Sequence, residues 1–189
     1  IENFLSFADC VLLGGGMAYT FFKAQGKNIG KSLLEEDKLD VARQLIDRAK
    51  TRGMKLGLPV DHVVAPKIEA GIETKVVDVD STPADWLGLD IGPRTIKDFE
   101  GEIAKAKTII WNGPLGVFEI NEFAQGTMQI ARAVANSSGF SLIGGGDSIS
   151  AVKKAGVQNQ ISHISTGGGA SLEFLAGKKL PGVEILTDK

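Results

Sequence analysis

The sequence predicts an α/β fold: a three-layer, doubly wound, Rossmann-like parallel sheet with helices on both faces. Three observations point to it. Short apolar runs alternate along the chain with amphipathic stretches, as expected of strands buried on both faces and the helices that cover them. Triple glycines at 14–16, 144–146 and 167–169 each follow one of these runs. Around the second of them, residues 140–156 read in order as a buried strand, a turn without side chains, and a helix that Asp147 or Ser148 can cap and Gly156 can stop.

The elements follow in chain order. Ile1, Phe4 and Leu5 share a face, so residues 1–8 read as the tail of a helix. The chain opens there without methionine and is expected to be part of something longer. A strand is expected at 10–13 and a short helix at 17–24, closed by Gly26. A loop around Gly30 follows. Over 35–51, Leu39, Ala42, Leu45, Ile46 and Ala49 recur at helical spacing, charges fill the other, solvated face, and Gly53 supplies the stop. Residues 55–64 read as one strand bent at Pro59, because proline cannot donate to a ladder. After a loop at 66–73 comes a strand at 75–79. Residues 81–92, with Trp86 and two glycines, read as irregular. Pro93 opens a helix to 106 with Ile96, Phe99 and Ile103 on one side. A strand at 108–111, a long loop at 112–121 and a helix at 123–136 follow. The chain continues through the strand at 140–143, a helix at 147–155, a strand at 161–164, a helix at 170–176 and an extended tail. No linker or shift in composition divides it, so 1–189 is expected to be one domain.

Composition narrows the function. At 189 residues, 43% apolar and 23% charged, the chain can bury a substantial core. A net charge of −2 without a basic cluster argues against nucleic acid or an anionic membrane as partner. No signal-peptide pattern and no bilayer-length apolar run is present. The single Cys10 has no disulfide partner and no zinc spacing around it, which points to a reducing, cytoplasmic setting.

The glycine turns carry the chemistry. A strand, a turn without Cβ atoms and a helix N-terminus together present free N–H groups and the positive end of a dipole, which suits an anion. One such turn alone is equally well explained by close strand–helix packing. Three of them, with the loop after Trp111, fall at strand carboxyl ends, where doubly wound sheets bind ligands. Asp147 sits inside this cradle. Its carboxylate would repel phosphate unless a cation lay between them, which suggests a magnesium–nucleotide complex. The loop 111–119 has the turn formers Asn112, Gly113 and Pro114, and a rigid loop is one reading. Its apolar Leu115, Val117 and Phe118 also suit a flat aromatic ligand, and Glu119 can accept two ribose hydroxyl bonds. His62 and His163 lack partners at ligand or triad spacing and are expected in the core or on the rim. Asp61 reads as a structural strand-end acid. Neither a Walker A motif nor a convincing dinucleotide fingerprint is present.

Six stretches, in order and spacing, resemble the phosphoglycerate kinase family: Leu-Gly-Gly-Gly-Met-Ala-Tyr-Thr-Phe at 13–21, Leu58-Pro59-Val60-Asp61, Gly-Leu-Asp-Ile-Gly-Pro at 88–93, Trp-Asn-Gly-Pro-Leu-Gly-Val-Phe-Glu at 111–119, Gly-Gly-Gly-Asp-Ser at 144–148, and Ser-Thr-Gly-Gly-Gly-Ala-Ser-Leu-Glu at 165–173. The resemblance spans the chain and matches the carboxyl-terminal, nucleotide-binding half of a two-domain enzyme. It implies reversible phosphoryl transfer between 1,3-bisphosphoglycerate and ADP, with Mg2+ as cofactor, in a cytoplasmic monomer. The amino-terminal half that binds 3-phosphoglycerate, with its arginine and the upstream lysines, is absent from this sequence. The fragment alone is therefore expected to bind Mg–ADP or Mg–ATP without turnover.

The resemblance also implies roles. Gly14, Gly15, Gly16, Leu33, Gly88, Leu89 and Val117 would line the adenine slot. Pro114 and Glu119 would hold the ribose, and Asn112 would reach toward the phosphates. Gly144, Gly145, Gly146, Asp147 and Ser148 would take the phosphates and magnesium, with Asp147 as the metal ligand. Gly116 completes the nucleotide set. Gly145, Gly168 and Gly169 would lie nearest the transferred group, so they are the catalytic candidates. Two rivals are a non-catalytic nucleotide-binding module and a dinucleotide dehydrogenase domain. The second lacks its fingerprint, and magnesium-dependent ADP binding without NAD binding would separate them.

Overall fold

The structure is a computed structural model that describes residues 1–167, 170, 173–174, 177–180 and 185. Its order is β1 (Cys10–Leu12), α1 (Gly15–Ala24), α2 (Leu39–Arg52), β2 (Lys55–Gly57), β3 (Asp61–Ala65), β4 (Lys75–Asp78), β5 (Leu87–Ile91), α3 (Pro93–Ile103), β6 (Thr108–Trp111), α4 (Gln125–Asn136), β7 (Phe140–Ile143), α5 (Gly146–Lys154) and β8 (His163–Ile164). The α/β class and the parallel pairing are as expected: β1 pairs with β2, and β6, β7 and β8 form a parallel ladder in that order.

Between them lies an antiparallel sheet, ordered β4–β3–β5, which the alternation of strands and helices did not foretell. Two misread segments account for it. Residues 55–64 are two strands rather than one, separated across Pro59 and Val60. The 81–92 stretch, expected to be irregular, contains β5. Its Leu-Gly-Leu-Asp-Ile sequence has a glycine and an acid where a strand pattern should be apolar.

The helices follow local signals closely. In α2, Ala42, Leu45 and Ala49 are buried and the charges face out, and Gly53 ends it in the left-handed region at φ 70° with its N–H on Ala49 and Lys50 carbonyls. Before α2, residues 36–38 are a 3-10 turn rather than α-helix. Residues 4–6 are likewise one 3-10 turn, not a helix tail. The expected helix at 170–176 falls largely outside the described residues.

The core lies in two main masses. β6, β7, α3, α4 and α5 enclose Phe99, Ile103, Trp111, Ile130, Val134, Ile143 and Val152. β1, β2, α1 and α2 enclose Leu13, Phe21, Leu45 and Met54. Helix α1 is buried on nearly every side: Phe21 faces this second mass while Ala18, Tyr19 and Phe22 face a third cluster with Ile29 and Val79. Such a helix holds its N-terminus rigidly, because packed interiors resist displacement. Among the described residues, no helix is long and apolar enough to cross a membrane.

Candidate functional site

A cleft of about 390 Å³ opens where the first glycine turn, β5 and the loop 112–118 meet. Gly15, Gly16, Ala18 and Tyr19 of α1 form one wall, with Lys31 and Leu33 from the loop that follows. Residues 87–91 of β5 form the second wall, and Pro114, Leu115, Gly116 and Val117 the third. Pro59, His62 and Ile68 close the remaining side. Of the residues implied for the adenine slot, Gly15, Gly16, Leu33, Gly88, Leu89 and Val117 line this cleft, and Pro114 and Gly116 join them. Gly14 stands just behind, against Leu115 Cδ2. Leu33 is 66% exposed and leans over Gly16, where a Cβ would come within 2.6 Å of Leu33 Cδ2. Phe118 differs from its expectation: it is buried in the main core, with Lys154 Nζ 6.0 Å from its ring centre.

The loop after Trp111 is held along its whole length, so it is a rigid wall. Trp111 Nε1 donates to the Gly113 carbonyl at 2.7 Å, and Gly113 N–H donates to Ser148 Oγ at 2.5 Å. Leu115 N–H donates to Thr127 Oγ1 at 3.0 Å, and its carbonyl accepts from Gly15 N–H at 3.1 Å. Lys154 Nζ donates to the Phe118 carbonyl at 2.6 Å and the Glu119 carbonyl at 3.4 Å. The loop thus ties α1, α4 and both ends of α5 together. The Glu119 side chain remains exposed beside it.

The second glycine turn meets this loop through Asn112. Gly144 N–H donates to the Trp111 carbonyl at 3.0 Å, and a Cβ on Gly145 would lie 2.5 Å from Asn112 Oδ1. Gly145, at φ 85°, is the N-cap of α5, and among the described residues no side chain caps that helix. This corrects the expectation that Asp147 or Ser148 would cap it. Ser148 is buried and accepts from the loop at Gly113, while Asp147 is exposed in the first helical turn. The first amides of α5 have no acceptor within the helix, as at any helix start. The third triple glycine is described only at Gly167. Gly168 and Gly169 lie outside the described residues.

Two carboxylates of the strands behave differently. Asp61, 2% exposed, accepts from Arg94 N–H at 3.0 Å, Thr95 N–H at 2.9 Å and Thr95 Oγ1 at 2.7 Å, and so closes the N-terminus of α3. Burial alone would raise its pKa, but hydrogen bonds from Thr95 and Arg94 and the Arg94 charge outweigh it and hold the carboxyl below its usual range. Its expected structural role thus takes a definite form. Asp90, also buried, accepts from Gly126 N–H at 2.7 Å at the start of α4 and from Ile91 N–H at 2.9 Å. There desolvation dominates these bonds and pushes its pKa up to about 7. Sequence reasoning assigned Asp90 no role. It lies within the quoted stretch 88–93, but nothing local distinguishes it.

His62 is buried in the cleft wall, bonded to Tyr19 and Thr82, as a core placement requires, whereas His163 is exposed on β8. Cys10 stands at the start of β1 as a free, half-buried thiol, and burial raises its pKa.

Comparison with known proteins follows the same lines. The family model for phosphoglycerate kinase matches residues 1–178. The phosphoglycerate kinase of Acidobacterium capsulatum is 58% identical over 191 residues, covering 100% of this chain and 47% of that protein. That of Finegoldia magna is 52% identical over 189 residues, covering 100% of this chain and 48% of that protein. The solved phosphoglycerate kinase from Coxiella burnetii superposes with a TM-score of 0.96 at 46% identity, over 98% of this chain and 48% of the other. The enzyme from Pyrococcus horikoshii gives 0.80 at 37% identity, over 97% and 46%. The chain spans about half the length of the curated relatives it matches.

Proposed function

The chain belongs to the phosphoglycerate kinase family, and from that premise we propose that these 189 residues are its nucleotide-binding, carboxyl-terminal half. The whole enzyme moves a phosphoryl group reversibly between 1,3-bisphosphoglycerate and ADP, giving 3-phosphoglycerate and ATP, in the cytoplasm and as a monomer. A separate amino-terminal half binds 3-phosphoglycerate. The observation that carries the reading is the junction of an apolar cleft with an uncapped helix start across one pinned loop. The base lies between Gly15–Gly16 and Val117, with Leu33, Gly88 and Leu89 around it. Pro114 and Glu119 hold the ribose. Asn112, residues 144–146 and Ser148 place the phosphates at the N-terminus of α5, whose amides and dipole favour negative charge.

Among the described residues, no three His, Cys, Asp or Glu side chains gather as a metal centre. Asp147 is a single exposed carboxylate not engaged in capping, which fits a magnesium ion that arrives with the nucleotide and keeps mostly phosphate and water ligands. Bound there, magnesium would neutralise charge on the phosphate oxygens.

The attacking group in the direction of ATP synthesis is an oxygen of the ADP β-phosphate, and the leaving group is a carboxylate, so no general base is required. The chain's contribution is orientation and fixed positive dipoles, with Gly145 nearest the transferred group. This half alone binds Mg–ADP and turns nothing over.

Calorimetric titration of ADP into the wild type and Asp147→Asn, with magnesium and with chelator, tests this reading. The substitution should weaken binding only when magnesium is present. Equal weakening in both titrations, or none in either, would reject Asp147 as the metal ligand. Absence of ADP binding to the wild type would reject the nucleotide site.

A further inference from the structure

Behind the cleft, three buried polar side chains from distant parts of the chain meet. Tyr19 Oη lies 3.1 Å from His62 Nδ1, and His62 Nε2 lies 3.0 Å from Thr82 Oγ1. Thr82 Oγ1 also lies 3.3 Å from the Val79 carbonyl, which can take its one hydroxyl proton. With its proton given there, Thr82 accepts from His62 Nε2–H at 3.0 Å. That leaves Nδ1 without a proton, so it accepts from the Tyr19 hydroxyl. The chain of bonds has one direction and needs a neutral imidazole. Burial supplies that: it pushes the His62 pKa down to about 4, against the opposing charge of the adjacent Asp61.

The relay reaches the cleft directly. Tyr19 and His62 both line it, and Tyr19 presses on β5 so closely that a Cβ on Gly88 would overlap the Tyr19 hydroxyl. The far end is tied as well. The Thr82 carbonyl accepts from Asn28 Nδ2 at 3.0 Å. The loop beyond Asn28 is then bonded to the approach of β5, by Lys31 N–H to the Trp86 carbonyl at 2.8 Å and by Gly88 N–H to Ser32 Oγ at 2.9 Å. Three side chains thus join α1, which carries the first glycine turn, to β3 and to the stretch that carries Gly88. Those pieces are opposite walls of the slot.

We propose that Tyr19, His62 and Thr82 are positioning residues for the nucleotide: a directional hydrogen-bond relay that fixes the width of the base slot by seating Tyr19 against Gly88. The proposal rests on the reading of this cleft as the base slot.

Two measurements on the 189-residue chain test it. Nitrogen NMR of the imidazoles at neutral pH should show His62 protonated at Nε2 alone, with and without Mg–ADP. A proton on Nδ1 would overturn the relay, whether or not any variant folds. Calorimetry with Mg–ADP should then show Tyr19→Phe and Thr82→Val each weakened about fivefold, the effect of one net hydrogen bond, with melting still cooperative. The pair Tyr19→Phe with His62→Phe should regain most of the affinity, because it removes both partners of one bond. Lower melting temperatures with unchanged affinities would mean a purely structural role and overturn the proposal. A wild type that binds no Mg–ADP would overturn the base-slot reading, and the relay's function with it. Wild-type binding with equal affinity in every variant would overturn the relay alone.

Discussion

Helices α3 and α4 begin on buried carboxylates, whereas α1 and α5 begin on glycines. Asp61 fills the start of α3 and Asp90 the start of α4, each from a strand of the antiparallel sheet. Those amides are satisfied within the protein, and a negative ligand would meet a carboxyl group there. At α1 and α5 the N-caps are Gly14 and Gly145, and among the described residues no side chain caps either helix. One amide of α1 is used by the Leu115 carbonyl. Four helix starts thus divide into two that are closed by the fold and two that remain accessible beside the same loop. A dipole is common to all four; what makes an anion site is the absence of a protein acceptor in front of it.

The largest effect should come from opening a closed end. Asp61→Ala removes three hydrogen bonds and leaves buried amides unpaired, so urea unfolding should show a loss of about 3 kcal/mol. A loss like that of an ordinary surface substitution would mean that α3 does not depend on its cap.

The second closed end should respond to pH. Asp90 holds its proton to about pH 7 in the folded chain against an ordinary value of 3.8. Between those values the folded state binds more protons than the unfolded, so this group's contribution is full below about 4 and fades as pH rises to about 7. His62, lowered from 6.5 to about 4, has the opposite sign: its contribution is full above about 6.5 and fades as pH falls toward 4. The two slopes oppose each other over the shared window, each bounded by about 1.4 kcal/mol per pH unit. Urea midpoints from pH 4.5 to 6.5 should therefore rise more steeply with pH in Asp90→Asn than in the wild type. Parallel profiles would contradict the raised Asp90 pKa.

An accessible end should tolerate its acid but not a Cβ. Gly145→Ala forces φ 85° on an L residue and brings a methyl within 2.5 Å of Asn112 Oδ1, and should cost about 1–2 kcal/mol in thermal unfolding. The smallest effect belongs to Asp147→Asn. With no cap bond to lose, its stability should stay within about 0.5 kcal/mol of the wild type. A larger loss would show that Asp147 supports α5 after all, and would erase the contrast with Asp61.

Much of the molecule was legible in the sequence. The stripe of α2 and its Gly53 stop, the strands β6 and β7, and the glycine turn before α5 rest on spacing and backbone freedom within a few residues. The cleft residues followed from the motif resemblance, and most of them meet in one place. Strand β5 escaped because Gly88 and Asp90 break its pattern. Both are there for tertiary reasons: Gly88 admits the Tyr19 hydroxyl and Asp90 reaches α4.

By itself, then, the sequence determined where chain segments become helix, turn or buried strand, since a hydrophobic period and a glycine act locally. It also determined that glycine turns lead into α1 and α5. Only the tertiary structure decided which helix starts stay accessible, that Ser148 serves the loop instead of its own helix, and that Tyr19, His62 and Thr82 meet. The partners in these contacts lie 34 residues apart for Asp61 and Thr95, 36 for Asp90 and Gly126, and 43 for Tyr19 and His62. A buried polar group must find an acceptor or donor wherever packing brings one, and no local pattern records which distant residue that is.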